Sequence, residues 1–247
     1  MIDFHSHILP EMDDGADSLE TSLAMLRESK RQGVGVVCAT SHFYADEEDP
    51  QSFLARRSAA YAHLQSAMDR DGDYPKILLG AEVLYFPGIS VAEEMKALRL
   101  MGTPFLLIEP PMMPWTEAML DEVEACGSSL NCIPVIAHID RYMRMLRDYT
   151  LFDRVADRKL LVQVNASFFL HRDTQDFALE CLEAECFHFI GSDCHDLTAR
   201  RPNLGDAAEI IRAAGLSAQL SKVDTRLAIM LEQAMQRDKS SDEKSST

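Results

Sequence analysis

Ile133-Pro134-Val135-Ile136-Ala137-His138 is an unbroken apolar run that ends on an imidazole. A strand of this kind belongs in a sheet buried on both faces, which is the condition of parallel strands covered by helices. Working outward, the same shape recurs: β-branched or apolar runs fall at 2–7, 34–40, 77–83, 105–109, 132–138, 160–165 and 187–193. Helical patterns lie between them. Leu19, Leu23 and Leu26 share one face of a helix predicted over 19–32, with Asp17 and Glu20 as its capping signal and Gly33 as its stop. Ser90 and Glu93 open another helix in the same way, and further helices are predicted over 51–71, 116–126, 149–158, 173–185, 203–214 and 224–237. Seven strands alternating with helices predict parallel βαβ units and an α/β fold. With 247 residues, no internal repeat and no linker, the chain is expected to form a single domain over 1–237, followed by a disordered polar tail over 238–247.

Composition narrows the function classes. At 47% hydrophobic and 26% charged residues the chain is globular. No stretch approaches the ~18 consecutive apolar residues of a membrane helix, so no membrane insertion is expected. The opening Met1-Ile2-Asp3-Phe4-His5 lacks the cationic start and apolar run of a signal peptide, which points to the cytoplasm. The six cysteines form no C-x-x-C pair, and in that compartment they are expected to stay reduced. A net charge of −16 without a basic patch argues against nucleic acid as a partner. A phosphate-bearing substrate would have to be attracted locally, by metal ions or by the few arginines near 141–147 and 200–201.

The polar residues fall at strand ends. The first run ends His5-Ser6-His7, the second leads into Ser41-His42, and the third reaches Glu82. The fourth ends at Glu109, the fifth at His138 and the seventh at Asp193-Cys194-His195. In a parallel barrel all the C-terminal strand ends meet at one face, where active sites are built. Residues two apart on a strand point the same way, so His5 with His7, and Asp193 with His195, can face one interior. Asp14, in the loop after the first strand, can reach the same mouth. Five of the eight histidines sit at these ends; His63, His171 and His188 do not. Imidazoles mixed with carboxylates, without thiolates, suit manganese, iron, zinc or magnesium. Four carboxylates and five imidazoles exceed the needs of one ion, so two or three divalent ions are expected. Three such ions against four carboxylates leave a local charge of about +2, cationic despite the acidic whole.

These residues resemble a known family. Met1-Ile2-Asp3-Phe4-His5-Ser6-His7-Ile8-Leu9-Pro10 followed by Asp13-Asp14-Gly15 is similar to the opening of PHP-type (polymerase and histidinol phosphatase) metallophosphoesterases. More narrowly, the chain resembles the manganese-dependent protein-tyrosine phosphatases of bacterial capsule and exopolysaccharide biosynthesis loci. The matching pieces are Ala39-Thr40-Ser41-His42, Gly80-Ala81-Glu82-Val83, Leu107-Ile108-Glu109, Ile136-Ala137-His138-Ile139-Asp140-Arg141-Tyr142, Gln163-Val164-Asn165 and Ser192-Asp193-Cys194-His195. The likeness runs to about residue 235 in the family's order and spacing. It implies a distorted seven-stranded (β/α)7 TIM-like barrel (the PHP fold) with a three-metal centre that takes manganese, while the donor types leave iron, zinc or magnesium open. It implies metal-ligand roles for His5, His7, Asp14, His42, Glu82, Glu109, His138, Asp193 and His195, and phosphate binding by Arg141 and Arg200. Three departures stand out. Asp140 replaces the usual Glu and leaves the ligand set intact; the arginine after the last motif is Arg200 or Arg201, with spacing from His195 favouring Arg200; and Pro110-Pro111-Met112-Met113-Pro114-Trp115 replaces a Phe-containing stretch at the substrate edge.

The resemblance implies hydrolysis of phosphotyrosine on a protein, with a tyrosine-rich segment of a bacterial tyrosine kinase that regulates capsule or exopolysaccharide as the expected partner. A hydroxide shared by metals would attack phosphorus in line while metals and guanidinium groups hold the non-bridging oxygens. Alternatives are a phosphatase for histidinol phosphate or another small ester, an amidohydrolase, and a non-catalytic metal-binding module that docks a kinase. Amidohydrolases commonly place a carboxylated lysine where this chain has Glu109. Homo-oligomerisation is left open. Cys194 and Arg200 also have the Cys-x5-Arg spacing of cysteine-dependent tyrosine phosphatases, but the intervening residues contain no glycine and Cys194 should point away from Asp193 and His195.

Overall fold

The structure is a computed structural model. It describes every residue except 149, 159, 246 and 247, and every described side chain except those of 71, 231 and 234–245. The strands are β1 (Ile2–Ser6), β2 (Val36–Ala39), β3 (His42–Phe43), β4 (Lys76–Leu79), β5 (Glu82–Leu84), β6 (Phe105–Glu109), β7 (Ile133–Ile136), β8 (Leu161–Asn165) and β9 (Phe189–Gly191). All pairings are parallel, in the orders β1-β2-β4 and β3-β5-β6-β7-β8-β9. β2 with β3, and β4 with β5, are the lower and upper halves of two strands that break at Thr40-Ser41 and Gly80-Ala81. Counted this way, seven strands curl into the expected distorted barrel. Its ends meet through a parallel bridge between Ser6 and Cys194, where the His7 N–H donates to Cys194 O (2.9 Å) and the Asp193 N–H to His5 O (2.8 Å).

The breaks have a consequence for function. Each falls just before a donor, His42 or Glu82, so the upper half-strands shift relative to the lower ones. Below the breaks the interior is apolar. Phe4, Cys38, Leu78, Phe105, Leu107, Val135 and Phe189 form one cluster, and Leu227 from the last helix packs against it. Phe4 stacks on Phe189 with ring centres 4.2 Å apart, and Phe105 meets both rings edge-on. This floor keeps water from reaching the polar layer from beneath. Strict alternation would send Phe4 and His5 to opposite faces. Both face inward because the register of β1 against β2 shifts between Asp3 and Ser6.

Several helix expectations shift. The first helix (Leu19–Arg31) is capped by Ser18, whose hydroxyl accepts the Thr21 N–H; Asp17 instead accepts from the hydroxyls of Ser18 and Thr21. In place of the helix expected to open at Ser90 and Glu93 there are two tight turns, Ile89–Val91 and Glu93–Leu98, and neither has a side-chain cap. The helix Ile139–Leu146 was not expected: His138 precedes it without a capping hydrogen bond, so the N-terminal signal is absent. The last helix runs Ser217–Ser245, starting earlier than expected. The expected tail, 238–247, falls on the end of that helix and on 246 and 247, where side chains lie outside the described residues.

Candidate metal centre

The nine expected donors all come together at the C-terminal mouth. They form four overlapping groups, each with its donor atoms within 4.8 Å of one another. The groups are His7–Asp14–His42–His195, His5–Glu82–His138, His5–His7–Asp193 and His42–Glu82–Glu109. Glu82 is central. Its Oε2 lies 3.1 Å from His5 Nε2, 3.3 Å from His7 Nε2 and 3.0 Å from His42 Nδ1, and its Oε1 lies 2.7 Å from His138 Nε2. Asp193 Oδ1 lies 3.7 Å from His5 Nε2 and 3.5 Å from His7 Nε2. Asp14 Oδ1 lies between His42 Nε2 (3.4 Å) and His195 Nε2 (3.3 Å). His5, His7, Glu82, His138 and Asp193 are buried.

Two of these donors sit on strained backbone. His138 has φ 28° and Asp193 has φ 53°, in the left-handed region that L-residues rarely adopt. Each costs about 1–3 kcal/mol, a strain that persists only where the surroundings enforce it. The enforcing contacts are the His138 N–H donating to Gln163 Oε1 (2.7 Å) and the Asp193 N–H donating to His5 O. Small residues admit the close approach. A Cβ on Gly191 would lie 2.5 Å from His5 Cβ, and one on Gly15 would lie 2.3 Å from His7 O.

The imidazoles are aimed by partners on their far nitrogens. His7 Nδ1 donates to Asp13 Oδ2 (2.8 Å), His5 Nδ1 to Gln163 Oε1 (3.2 Å) and His195 Nδ1 to Asp193 O (2.9 Å). This leaves Nε2 of all three free to face the cluster. The residues are therefore suited to cations. His5 Nε2 and His7 Nε2 face each other at 3.1 Å, and Glu82 Oε2, His42 Nδ1 and His195 Nε2 are buried without a hydrogen-bond partner. Converging lone pairs in a dry pocket are costly unless cations satisfy them.

The protonation pattern agrees with that fit. Burial opposes charge on His7, yet its contacts with Asp13 and Glu82 raise its pKa to about 10. Burial, reinforced by the charge on Glu82, pushes Glu109 up to about 7. His195 is pushed down to about 3 by burial and by neighbouring His7. Burial works against an ionised Asp193 as well, but His5, His138 and His7 hold it well below the usual carboxylate range. Protons are thus shared unevenly among groups that divalent ions would serve together.

A cavity of about 480 Å³ opens beside the donors, lined by Arg141, Arg200 and Asp193 among others. Arg141 reaches Asp193 Oδ2 (2.5 Å) and Glu109 Oε1 (3.4 Å). Arg200 reaches Asp193 Oδ1 (2.9 Å) and Asp14 Oδ2 (3.5 Å). Arg201 turns away to Asp206 (2.6 Å), so Arg200 is the arginine at the mouth. The substituted Asp140 still accepts the Asn165 N–H (2.9 Å). Cys194 packs in the core, and burial followed by the nearby Asp3 charge pushes its thiol up, which removes the thiolate reading. Sequence pattern alone assigns no role to Asp13, Gln163 or Asn165. Asp13 was legible only as the neighbour of Asp14, and Asn165, whose amide donates to Asp193 Oδ2 (2.9 Å), only by its place after a strand. His171, set aside as lying away from the strand ends, lines the cavity.

Comparison with known proteins agrees with this arrangement. Residues 1–225 match the family described as capsular polysaccharide synthesis, CpsB/CapC. Tyrosine-protein phosphatase CpsB of Streptococcus agalactiae serotype V is 31% identical over 224 residues, covering 85% of this chain and 89% of that protein. Tyrosine-protein phosphatase YwqE of Bacillus subtilis is 27% identical over 218 residues, covering 85% and 84%. A solved structure from work on YwqE of Bacillus subtilis and CpsB of Streptococcus pneumoniae, described as unique metal-dependent tyrosine phosphatases, aligns with a TM-score of 0.82 at 25% identity over 94% of each chain. This chain belongs to the CpsB/CapC family of capsular polysaccharide synthesis proteins.

Proposed function

We propose that this chain is a metal-dependent protein-tyrosine phosphatase that acts in capsular polysaccharide synthesis. The observation that carries the reading is the convergence of nine nitrogen and carboxylate donors beside a cavity whose wall presents Arg141 and Arg200. The names of the relatives supply the substrate class. We assign His5, His7, Asp14, His42, Glu82, Glu109, His138, Asp193 and His195 as the ligands of two or three divalent ions, with manganese as the ion. The donor set holds no sulfur, which fits a borderline-to-hard cation.

When bound, divalent ions supply positive charge for phosphate oxygens and a nucleophile at neutral pH. The protein's own groups do the rest. Arg141 and Arg200 both line the cavity and pair with different oxygens of Asp193, so two planar guanidinium groups can hold the non-bridging oxygens of one phosphoryl group. Asp13, Gln163 and the Asp193 carbonyl fix the ring orientations, so the donors need little rearrangement as charge develops. The apolar floor of Phe4, Phe105 and Phe189 excludes water from below. A tyrosine phenolate, with a pKa near ~10, leaves with little help from an acid.

The substrate we assign is phosphotyrosine on a tyrosine-rich segment of a kinase that regulates capsule. Placement in the cytoplasm belongs with that reading, and the six free thiols support it. The test is chelation followed by re-supply of single metals, with turnover measured on a phosphotyrosine peptide and on histidinol phosphate. Manganese-restored hydrolysis of the peptide with little histidinol phosphate turnover is expected. The opposite preference would place the chain with the small-ester phosphatases.

A further inference from the structure

The cavity holds more positive charge than one phosphate needs. The helix Ile139–Leu146 places Arg141 and Arg144 three residues apart, on one face. Both line the cavity, as does Arg200. Arg141 and Arg200 are each tied to Asp193. Arg144 is different. It is exposed, and it forms no hydrogen bond or ion pair with any described residue. The imidazole of His171, which also lines the cavity, is likewise without a partner among the described residues.

Among the described residues Arg147 and Arg172 also lack a carboxylate partner, but of these three only Arg144 lines the cavity, in a chain where 40 acidic residues face 24 basic ones. The arginines at 31, 56, 154, 158 and 201 all pair with carboxylates. Arg144 is exposed where Arg141 is partly buried, so it is the more accessible of the two to residues flanking a phosphotyrosine held at the cavity. Its planar fork matches a carboxylate. Exposed Met145 on the same wall offers apolar contact to a peptide backbone.

Building on the phosphatase reading, we propose that Arg144, on the same cavity wall as Arg141, is a specificity-determining residue that binds an aspartate or glutamate flanking the phosphotyrosine. The preferred substrate is a phosphotyrosine segment with acidic neighbours. Arg144 acts on binding of the segment and makes no contact with the reacting phosphorus, so its effect belongs in KM.

The test compares two phosphotyrosine peptides on the full-length, metal-loaded protein. One carries aspartate at the two positions on each side of the phosphotyrosine, and the other carries asparagine there. The wild type is expected to favour the aspartate peptide about threefold in kcat/KM, through KM, with the preference fading at high salt. Arg144→Lys should retain part of it, and Arg144→Glu should bring the ratio to one or below. Because each ratio is taken within one protein, a general loss of activity does not move it. Equal turnover of the two peptides by the wild type, or a ratio unaltered in Arg144→Glu, overturns the proposal alone. If Arg144→Glu does not fold, the wild-type ratio and its salt dependence decide. Hydrolysis of neither peptide overturns the phosphatase reading and this inference with it.

Discussion

The Nδ1–H of His7 donates to Oδ2 of Asp13 across 2.8 Å, and this bond turns the opposite nitrogen of the ring toward Glu82 and Asp193. The same carboxylate oxygen accepts the backbone N–H of His42 (2.8 Å), so one side chain positions two donors. Asp13→Asn keeps the size but loses the charge that makes His7 a stronger ligand. A loss of about 10- to 100-fold in metal affinity or activity is expected. Metal titration by calorimetry, with activity at saturating manganese, checks it. Binding as tight as in the wild type would show that Asp13 does not set the orientation of His7.

Gln163 clamps two further donors at once, taking the His138 N–H and the His5 Nδ1–H on a single oxygen. Gln163→Leu leaves a buried N–H unsatisfied, at a cost of about 1–3 kcal/mol. It also frees His138 to relax from its left-handed backbone. Urea unfolding should register the destabilisation, and metal content after dialysis should fall. Stability within a few tenths of a kcal/mol of the wild type would rule out the clamp.

The legible part of this molecule is the part set by local pattern. Continuous apolar runs gave the strands, and donors at their ends gave the whole set that the structure brings together, because a parallel barrel sends every strand end to one mouth. What stayed hidden depends on partners distant in sequence. Gln163 looks like any polar residue in a strand until His5, 158 residues away, is placed against it. The break before Glu82 lies inside a run that reads as a single strand, and the short strand at His42 lies just beyond the run 34–40, so pattern sets neither apart as a separate upper piece. The helix Ile139–Leu146 begins on a strained histidine rather than a cap, so pattern reading passes over it. Asp17 and Ser18 are adjacent and both polar, and the backbone turn, not residue type, decides which one caps.

Gly191 is a packing requirement for the site. A methyl group there would meet the His5 Cβ at 2.5 Å and the His5 backbone nitrogen at 2.8 Å. Since one contact is with backbone, β9 and β1 must separate to admit it. Gly191→Ala is expected to cost about 1–3 kcal/mol and to displace His5 from Glu82. Thermal unfolding and metal stoichiometry report the two effects separately. Wild-type values for both would mean that the strands can part without cost.

Protonation makes stability depend on pH in the chelated protein. His7 has a folded pKa of about 10 against 6.5 for a free histidine; burial opposes the shift, and Asp13 and Glu82 produce it. The stability gained from a raised pKa is complete below pH 6.5 and is lost as pH rises toward 10. Glu109 acts in the same direction at lower pH, since burial raises its carboxyl to about 7. The chelated protein is therefore expected to be less stable at pH 9 than at pH 7, by up to about 1.4 kcal/mol per pH unit for each proton involved. Divalent ions prefer the deprotonated ring, so the stabilisation they confer should widen over the same interval. Urea titrations at the two pH values, with and without manganese, measure both slopes. A chelated protein that gains stability from pH 7 to 9 would contradict the assignment of a proton to His7.

Cys194 and Arg200 provide the sharpest separation between two kinds of phosphatase chemistry. The Cys194 thiol is fully buried, and burial together with the Asp3 charge raises its pKa, so it is held as a thiol at neutral pH. Its flanking residues are committed elsewhere, Asp193 to the arginines and His195 toward Asp14. Cys194→Ala removes only a sulfur from the core, at about 1 kcal/mol or somewhat more. Activity on p-nitrophenyl phosphate should therefore survive Cys194→Ala and brief exposure to iodoacetamide, and should be abolished by chelation. Loss of turnover in folded Cys194→Ala at full metal occupancy would assign the nucleophile to sulfur after all.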